Sequence, residues 1–359
     1  MTQTLAALGL MSGTSLDGID VAYLRTDGVT VIETGPWATF PYEATMREAI
    51  RSVLGGVGPV SSVEELLTRA HAEAVDKFLA ESDLSRADID LVGFHGHTIL
   101  HRPEEGRTWQ IGDGGLLGRL VAIPVINDFR SADVAAGGQG APLVPLFHAA
   151  LAHDLERPLA VLNLGGVANV TWIGADDSIV AFDTGPGNAP LDDWVRRRTG
   201  RAMDDGGRLA AAGRVDAELL ATFLRHPYFD RAPPKSLDRD DFTWTLVERL
   251  NGEDGAATLV AIITAAVARA AEHFPARVKH WLVTGGGRHN PAIMAALSER
   301  LDSAPRAVEA VGWNGDALEA QAFAYLAVRS QRGLPLSLPS TTGVPRPLTG
   351  GRYHPLPER

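Results

Sequence analysis

The chain has 359 residues, 45% hydrophobic and 21% charged, ordinary proportions for a globular protein and too apolar for a mainly disordered one. Its 44 acidic and 33 basic residues leave a net charge of −11, which disfavours nonspecific binding to nucleic acid or to an anionic membrane. Cysteine is absent, so disulfides, zinc ribbons, thiolate clusters and a catalytic thiol are excluded.

At roughly 100–200 residues per domain the length suggests two domains, or three. Met1-Thr2-Gln3-Thr4 lacks the basic start of a secretory signal. The longest strongly apolar stretch, 259–268, runs into Arg269 and is shorter than the ~20 residues that span a bilayer. A cytoplasmic protein is expected, with neither nucleic acid nor membrane as partner.

In chain order, an apolar run at 5–10 reaches Ser12-Gly13-Thr14-Ser15-Leu16-Asp17-Gly18, and a second run follows at 19–24. This predicts strand, glycine turn, strand. A helix is predicted from Ser62, with Ser62 and Glu65 at capping-box spacing and Leu66, Ala70, Ala74 and Phe78 at helical intervals. Strands are predicted at 90–94 and 121–126, the second ending in Asn127-Asp128-Phe129-Arg130.

Strand, glycine turn, strand then returns at 159–164, Gly165-Gly166 and 167–173. A strand at 179–182 leads into Asp183-Thr184-Gly185-Pro186-Gly187-Asn188, and helices are predicted at 191–198 and 258–274. A strand at 278–283 leads into Thr284-Gly285-Gly286-Gly287-Arg288, after which Asn290 caps a helix that has Pro291 at its first position. The pattern repeats although the residues do not, which predicts an α/β protein of two similar halves facing each other across a cleft. The tail 331–359, rich in proline and glycine, is expected to be irregular or to add a short strand.

Several stretches carry chemistry. A hairpin tip spanning Gly13–Ser15 and Asp17–Asp20 offers backbone N–H and hydroxyl donors for phosphate oxygens. There Asp17 or Asp20 suits a magnesium ion; the competing reading is a polar β-turn. Gly165-Gly166 with Asn169 occupies the matching place in the second half. Asp183, at the end of an apolar strand, sits where α/β folds place their sites and suits a general base; an Asx-turn or helix-capping role is the alternative. Gly285–Gly287 lets the backbone approach a flat nucleotide, without the G-x-G-x-x-G spacing of a dinucleotide fold. His95, His97 and His101 suit hydrogen bonding to a sugar better than a metal, for want of a nearby carboxylate. Arg130 suits a carboxylate held by two hydrogen bonds, or a surface salt bridge. Glu319, three residues after Asp316, is either a capping-box glutamate or a ligand.

Taken in order, Gly9–Gly18, Gly93–Thr98, Gln110–Asp113, Asn127–Arg130, Gly137–Pro145, Asn163–Asn169, Phe182–Asn188 and Thr284–Gly287 closely resemble the anhydro-N-acetylmuramic acid kinases of bacteria. The resemblance implies the actin, hexokinase and Hsp70 fold: two RNase-H-like domains around a nucleotide cleft. They are expected at 1–128, completed by 335–359, and at 129–334. It implies ATP and Mg²⁺ as cofactors, and 1,6-anhydro-N-acetylmuramic acid as substrate, hydrolysed at its anhydro ring and phosphorylated at O6 in cell-wall recycling. A homodimer is implied too. Carried onto this chain, Asp183 is the catalytic base. Ser12, Gly13, Thr14, Ser15, Leu16, Asp17, Gly18, Ile19, Asp20, Gly165, Gly166, Asn169, Gly285, Gly286 and Gly287 bind the nucleotide. His97, Thr98, Gln110, Arg130, Gly185 and Glu319 bind the sugar. The superfamily's usual first-loop aspartate is Met11 here, which leaves Asp17 or Asp20 for the metal. An ordinary sugar kinase and a non-catalytic, filament-forming ATP-binding protein are the alternatives.

Overall fold

The structure is a computed structural model that describes residues 3–13, 15–237 and 241–356. The described chain contains twelve strands: β1 (Leu5–Ser12), β2 (Gly18–Thr26), β3 (Val31–Pro41), β4 (Leu91–Arg102), β5 (Arg107–Ile111), β6 (Val125–Asn127), β7 (Leu159–Leu164), β8 (Val167–Ile173), β9 (Ile179–Pro186), β10 (His280–Thr284), β11 (Pro305–Ala307) and β12 (Arg352–His354). It divides into two compact units, one comprising the described residues up to His153 and from Ala317 onward, the other Asp154–Asp316. These bounds place 129–153 and 317–334 with the first sheet, unlike the division expected from the sequence. The reason is packing: the helix Leu318–Gln331 lies on β1, β2 and β4.

In the first unit β3-β2-β1 form an antiparallel meander, β4 joins β1 in parallel and β6 joins β4 in parallel. The tail returns as β12 on the β6 edge. In the second unit β9-β8-β7 are antiparallel, β10 is parallel to β7 and β11 to β10. β3-β2-β1-β4-β6 in the first unit and β9-β8-β7-β10-β11 in the second thus follow the same order and the same strand directions, with β5 an extra strand paired to β4, and the repeat read in the sequence is a repeat of topology.

β1 and β7 are nearly continuous apolar runs because both faces of each sheet are covered. The first core joins Leu8, Leu10, Val21 and Phe94 to Leu67, Val75 and Phe78 of the helix Val60–Glu81. The second joins Leu162, Val170 and Phe182 to Trp194, Ile262 and Trp281. The helix Gly252–Ala270 belongs to that core. With the turn that follows it, it is long and apolar enough to cross a membrane, contrary to the sequence estimate, yet 72% of its apolar window is buried within the protein.

Gly9 and Gly93 face each other across β1 and β4, and both serve packing. A Cβ on Gly9 would stand 1.7 Å from the Ala320 carbonyl oxygen, and one on Gly93 2.1 Å from that of Phe323. Only glycine lets the backbone of the helix Leu318–Gln331 come this close.

Two predicted helix starts differ. Val60–Glu81 begins directly after Pro59 and has no side-chain cap, so Ser62 and Glu65 lie inside the helix. Its buried stripe runs through Val63, Leu67, His71, Val75 and Phe78, which leaves Leu66 exposed. The pair Asp316 and Glu319 forms no capping box either: Ala317 is the cap residue, and Asp316 accepts a hydrogen bond from Arg288 at 2.8 Å. Asn290 does cap its helix, accepting from the amides of Ala292 and Ile293. The region read as one strand at 121–126 is the end of the helix Gly114–Val121 followed by β6.

Candidate functional site

The second unit gathers polar groups at one level of its sheet. Thr284 pairs with Asn163, Asn163 with Asn169, and Asn169 with Asp183. Directly paired residues point to the same face, so four polar side chains form a row near the hairpin tip. Asp183 and Thr284 are buried. Asp183 lies inside β9, before the helix Ala189–Thr199 whose cap residue is Asn188, so the helix-capping alternative does not apply. Its carboxylate Oδ2 accepts from the amide of Leu237 at 2.8 Å, its own amide donates to the Lys235 carbonyl at 3.0 Å, and the Tyr228 hydroxyl donates to its carbonyl.

The glycines of this unit close on the same place. The amides of Gly187 and Asn188 donate to the carbonyls of Gly166 and Gly165 at 3.1 and 2.7 Å. A Cβ on Gly187 would lie 2.2 Å from the Gly165 oxygen. Gly285 adopts φ 77°, and a Cβ there would lie 2.4 Å from Asn163 Oδ1. The β7–β8 tip, the end of β9 and the loop after β10 are therefore one packed cluster. Gly166 and Gly286 remain exposed, and no atom lies within 4 Å of the position a Gly286 Cβ would take. Arg288 stiffens the cluster: its buried guanidinium donates to the Gly285 carbonyl, to Glu309 and to Asp316, at 2.8–3.0 Å. Gly185 is buried, with Ala266 and Phe229 against it.

In the first unit, the tip of the β1–β2 hairpin is held from within. Leu16 takes a left-handed conformation, φ 61°, and is buried in the core, while Ser15 and Asp17 are exposed. Thr14 lies outside the described residues. The Ser12 hydroxyl is buried between Tyr42 OH at 2.8 Å and His97 Nδ1 at 2.9 Å. Gly18 and Ile19 are buried at the start of β2. Asp20 is half-buried, its Oδ1 accepting from the Thr39 hydroxyl at 2.5 Å.

His97 is fully buried, and burial holds its pKa down to about 4. A neutral imidazole bound to the Ser12 hydroxyl orients that hydroxyl. The neighbouring His71 is held at about 4 by burial as well. His95 shows its tautomer: Nδ1 faces the Gly96 carbonyl at 2.9 Å and so carries the proton, which leaves Nε2 to accept from Arg130 Nε and Nη2 at 3.2 and 3.1 Å. Burial, reinforced by Arg130, keeps His95 neutral. Arg130 also donates to the Gly140 carbonyl at 2.7 Å. That loop is fixed by Asp133, which accepts from the Gly140 amide and the Thr342 hydroxyl, each at 2.6 Å. Thr98 and Gln110 are paired across β4 and β5, with the Gln110 amide nitrogen 3.2 Å from the Thr98 hydroxyl. The Gln110 oxygen Oε1 is buried and lacks a hydrogen-bond partner among the described residues. Glu319 is exposed in the first turn of its helix.

Among the described residues no three histidine, aspartate or glutamate side chains converge as a metal site. His95 and His97 are engaged as above. Asp17 and Asp20 flank the start of β2, and one or two carboxylates suffice for a Mg²⁺ held mainly by phosphates and water.

The sequence reading assigned no role to Asn163, Thr284, Arg288, Asp133 or Lys235. Arg288 directly follows three glycines, and that position is its signal in the sequence. Lys235 offered none.

Two units that share one five-strand order, an antiparallel meander of three strands followed by two parallel strands, each presenting a glycine-bearing hairpin tip, define the actin-like ATPase class of folds. The model of the family "Anhydro-N-acetylmuramic acid kinase" matches residues 5–355. Relatives bearing that name include a protein of Paramagnetospirillum magneticum, 62% identical over 98% of this chain and 99% of its own. Another, of Rhodospirillum rubrum, is 58% identical over 97% and 94%. A third, of Acidiphilium cryptum, is 56% identical over 96% and 97%. The chain belongs to the anhydro-N-acetylmuramic acid kinase family.

Proposed function

We propose that this protein converts 1,6-anhydro-N-acetylmuramic acid, ATP and water into N-acetylmuramic acid 6-phosphate and ADP. The family match over 5–355 carries this reading. The buried carboxylate of Asp183, at the end of the polar row, supports it as the reaction's base. The carboxylate takes a proton from water as the water oxygen attacks C1 of the sugar. The C1–O6 bond breaks, O6 attacks the γ-phosphorus, and the bridging oxygen leaves with ADP.

Phosphoryl transfer needs positioning and charge neutralisation more than covalent help. The main chain at 12–20 and at Gly165, Gly166 and Asn169 is assigned to the phosphates, and Gly285–Gly287 to the nucleoside. Asp17 or Asp20 would hold Mg²⁺, which would neutralise phosphate charge. Arg130, oriented by His95 and Gly140, is assigned to the lactyl carboxylate, and Thr98, Gln110, Gly185 and Glu319 to other parts of the sugar. His97 acts one step back, through Ser12. The same reading makes the enzyme a cytoplasmic homodimer that recycles cell-wall sugar.

The test is ADP release from Mg-ATP with and without the anhydro sugar, with the product mass measured. Strong stimulation, and a product heavier than the sugar by one water and one phosphoryl group, is expected. Stimulation by reducing hexoses alone would mean an ordinary sugar kinase, and ATP-dependent pelleting without turnover a filament protein. Arg130→Ala should raise the KM for the sugar about 10–100-fold, the equivalent of a charge-assisted pair worth roughly 1.5–3 kcal/mol, with the KM for ATP little changed. An unchanged sugar KM would remove Arg130 from the site.

A further inference from the structure

Lys235 is buried, an unusual place for an ammonium group unless it is paired. Its Nζ donates to the main-chain carbonyls of Tyr228 at 3.2 Å and Phe229 at 3.5 Å and lies 3.4 Å from His273 Nε2. It stands over the Tyr228 ring at 4.7 Å and the Phe182 ring at 5.6 Å. No carboxylate among the described residues reaches it within ion-pair distance. Carbonyl dipoles and aromatic faces hold the charge, as cation–π geometry allows.

These contacts close a ring around Asp183. The turn Pro227–Asp230 holds Lys235 through two carbonyls and the Tyr228 ring. The hydroxyl of the same Tyr228 donates to the Asp183 carbonyl. From the other side, the Lys235 carbonyl accepts from the Asp183 amide, and the Leu237 amide donates to the Asp183 carboxylate. The segment 235–237 is thus the clasp that orients the carboxylate, and the Lys235 side chain ties that clasp to the turn.

We propose that Lys235 is the positioning residue for Asp183, its buried ammonium anchoring the 235–237 main chain so that the carboxylate is held in one orientation. The inference rests on reading Asp183 as the base. Lys235 does not touch the substrate in this role; it acts through Leu237 and Tyr228. Its charge is needed because a neutral amine binds carbonyls and ring faces more weakly. Burial, and then Arg269, lowers its pKa to about 8. Among the described residues the charged and titratable groups around it are His273 and Tyr228 in contact, with Arg269, Arg231 and Asp230 further off. The anchor therefore loosens on the alkaline side of neutrality.

The experiment measures kcat, both KM values and the pH profile of kcat for wild type, Lys235→Met, Lys235→Arg and Asp183→Asn. Lys235→Met should lose about 10²-fold in kcat, the scale of a small misplacement of a reacting group, with both KM values little changed. Lys235→Arg should recover most of kcat, and its alkaline limb should move upward because guanidinium stays charged. A folded Lys235→Met with wild-type kcat overturns the inference. So does a Lys235→Arg profile that coincides with wild type. Should Lys235→Met not fold, by circular dichroism, Lys235→Arg alone decides on the same criterion. If Asp183→Asn keeps wild-type turnover, the reading of Asp183 as base fails. If Asp183→Asn is inactive while Lys235→Met behaves as wild type, only the role of Lys235 fails.

Discussion

Asp183→Asn is expected to lower kcat about 10²–10⁴-fold, the usual contribution of a positioned general base, while the KM for ATP changes little. Asparagine is nearly isosteric, and its amide oxygen can still accept from the Leu237 amide, which holds Asp183 Oδ2 at 2.8 Å. The clasp and the β8–β9 pairing of Asn169 with Asp183 should survive, so the variant should fold. What it loses is the capacity to take a proton. Steady-state kinetics with the anhydro sugar, beside a thermal melt, checks both halves. Near wild-type turnover in a folded variant would remove Asp183 from the chemistry and return attention to the carboxylates of the first hairpin, Asp17 and Asp20.

Gly9→Ala is the second large effect, and it is one of stability. The added methyl group would sit 1.7 Å from the Ala320 carbonyl oxygen and 2.7 Å from the Ala324 amide nitrogen. Both are backbone atoms of a helix, so no side-chain rotation relieves the clash. Overpacking a core costs about 1–3 kcal/mol and occasionally more; contact with backbone places this variant at about 3 kcal/mol or beyond. At roughly 2–4 °C per kcal/mol for a unit of this size, Tm should fall by about 10 °C. Gly93→Ala should behave alike, because the two glycines are paired and meet adjacent turns of one helix. Unchanged melting midpoints would mean that the helix Leu318–Gln331 does not lie as close to the sheet as described. Since Gly9 and Gly93 both fall in the stretches that mark the family, these positions of the motif belong to helix–sheet packing.

The sequence by itself determined the local units with strong short-range signals. β7 and β8 begin and end where the apolar runs do, because strands buried on both faces write their length directly into hydrophobicity. The repeated order of strand, glycine turn and strand revealed the duplication. Asp183 stood out because a carboxylate at the end of such a run sits where α/β folds place their sites, and the ordered set of motifs pointed to the family.

Tertiary structure decided the rest. β3 was not predicted, since it is mostly exposed along its length and an edge strand carries little apolar pattern. The fate of Asp316 was decided by a partner 28 residues away: it accepts from the buried Arg288 instead of capping the helix that follows. His97 reads as a sugar ligand in one dimension; only the fold shows that its ring is buried against the Ser12 hydroxyl. Lys235 carried no sequence signal at all. Its meaning depends on Tyr228, Phe182 and Asp183 meeting in space, and no local pattern of residues encodes a charge held by carbonyls and ring faces drawn from two other segments, the turn Pro227–Asp230 and β9.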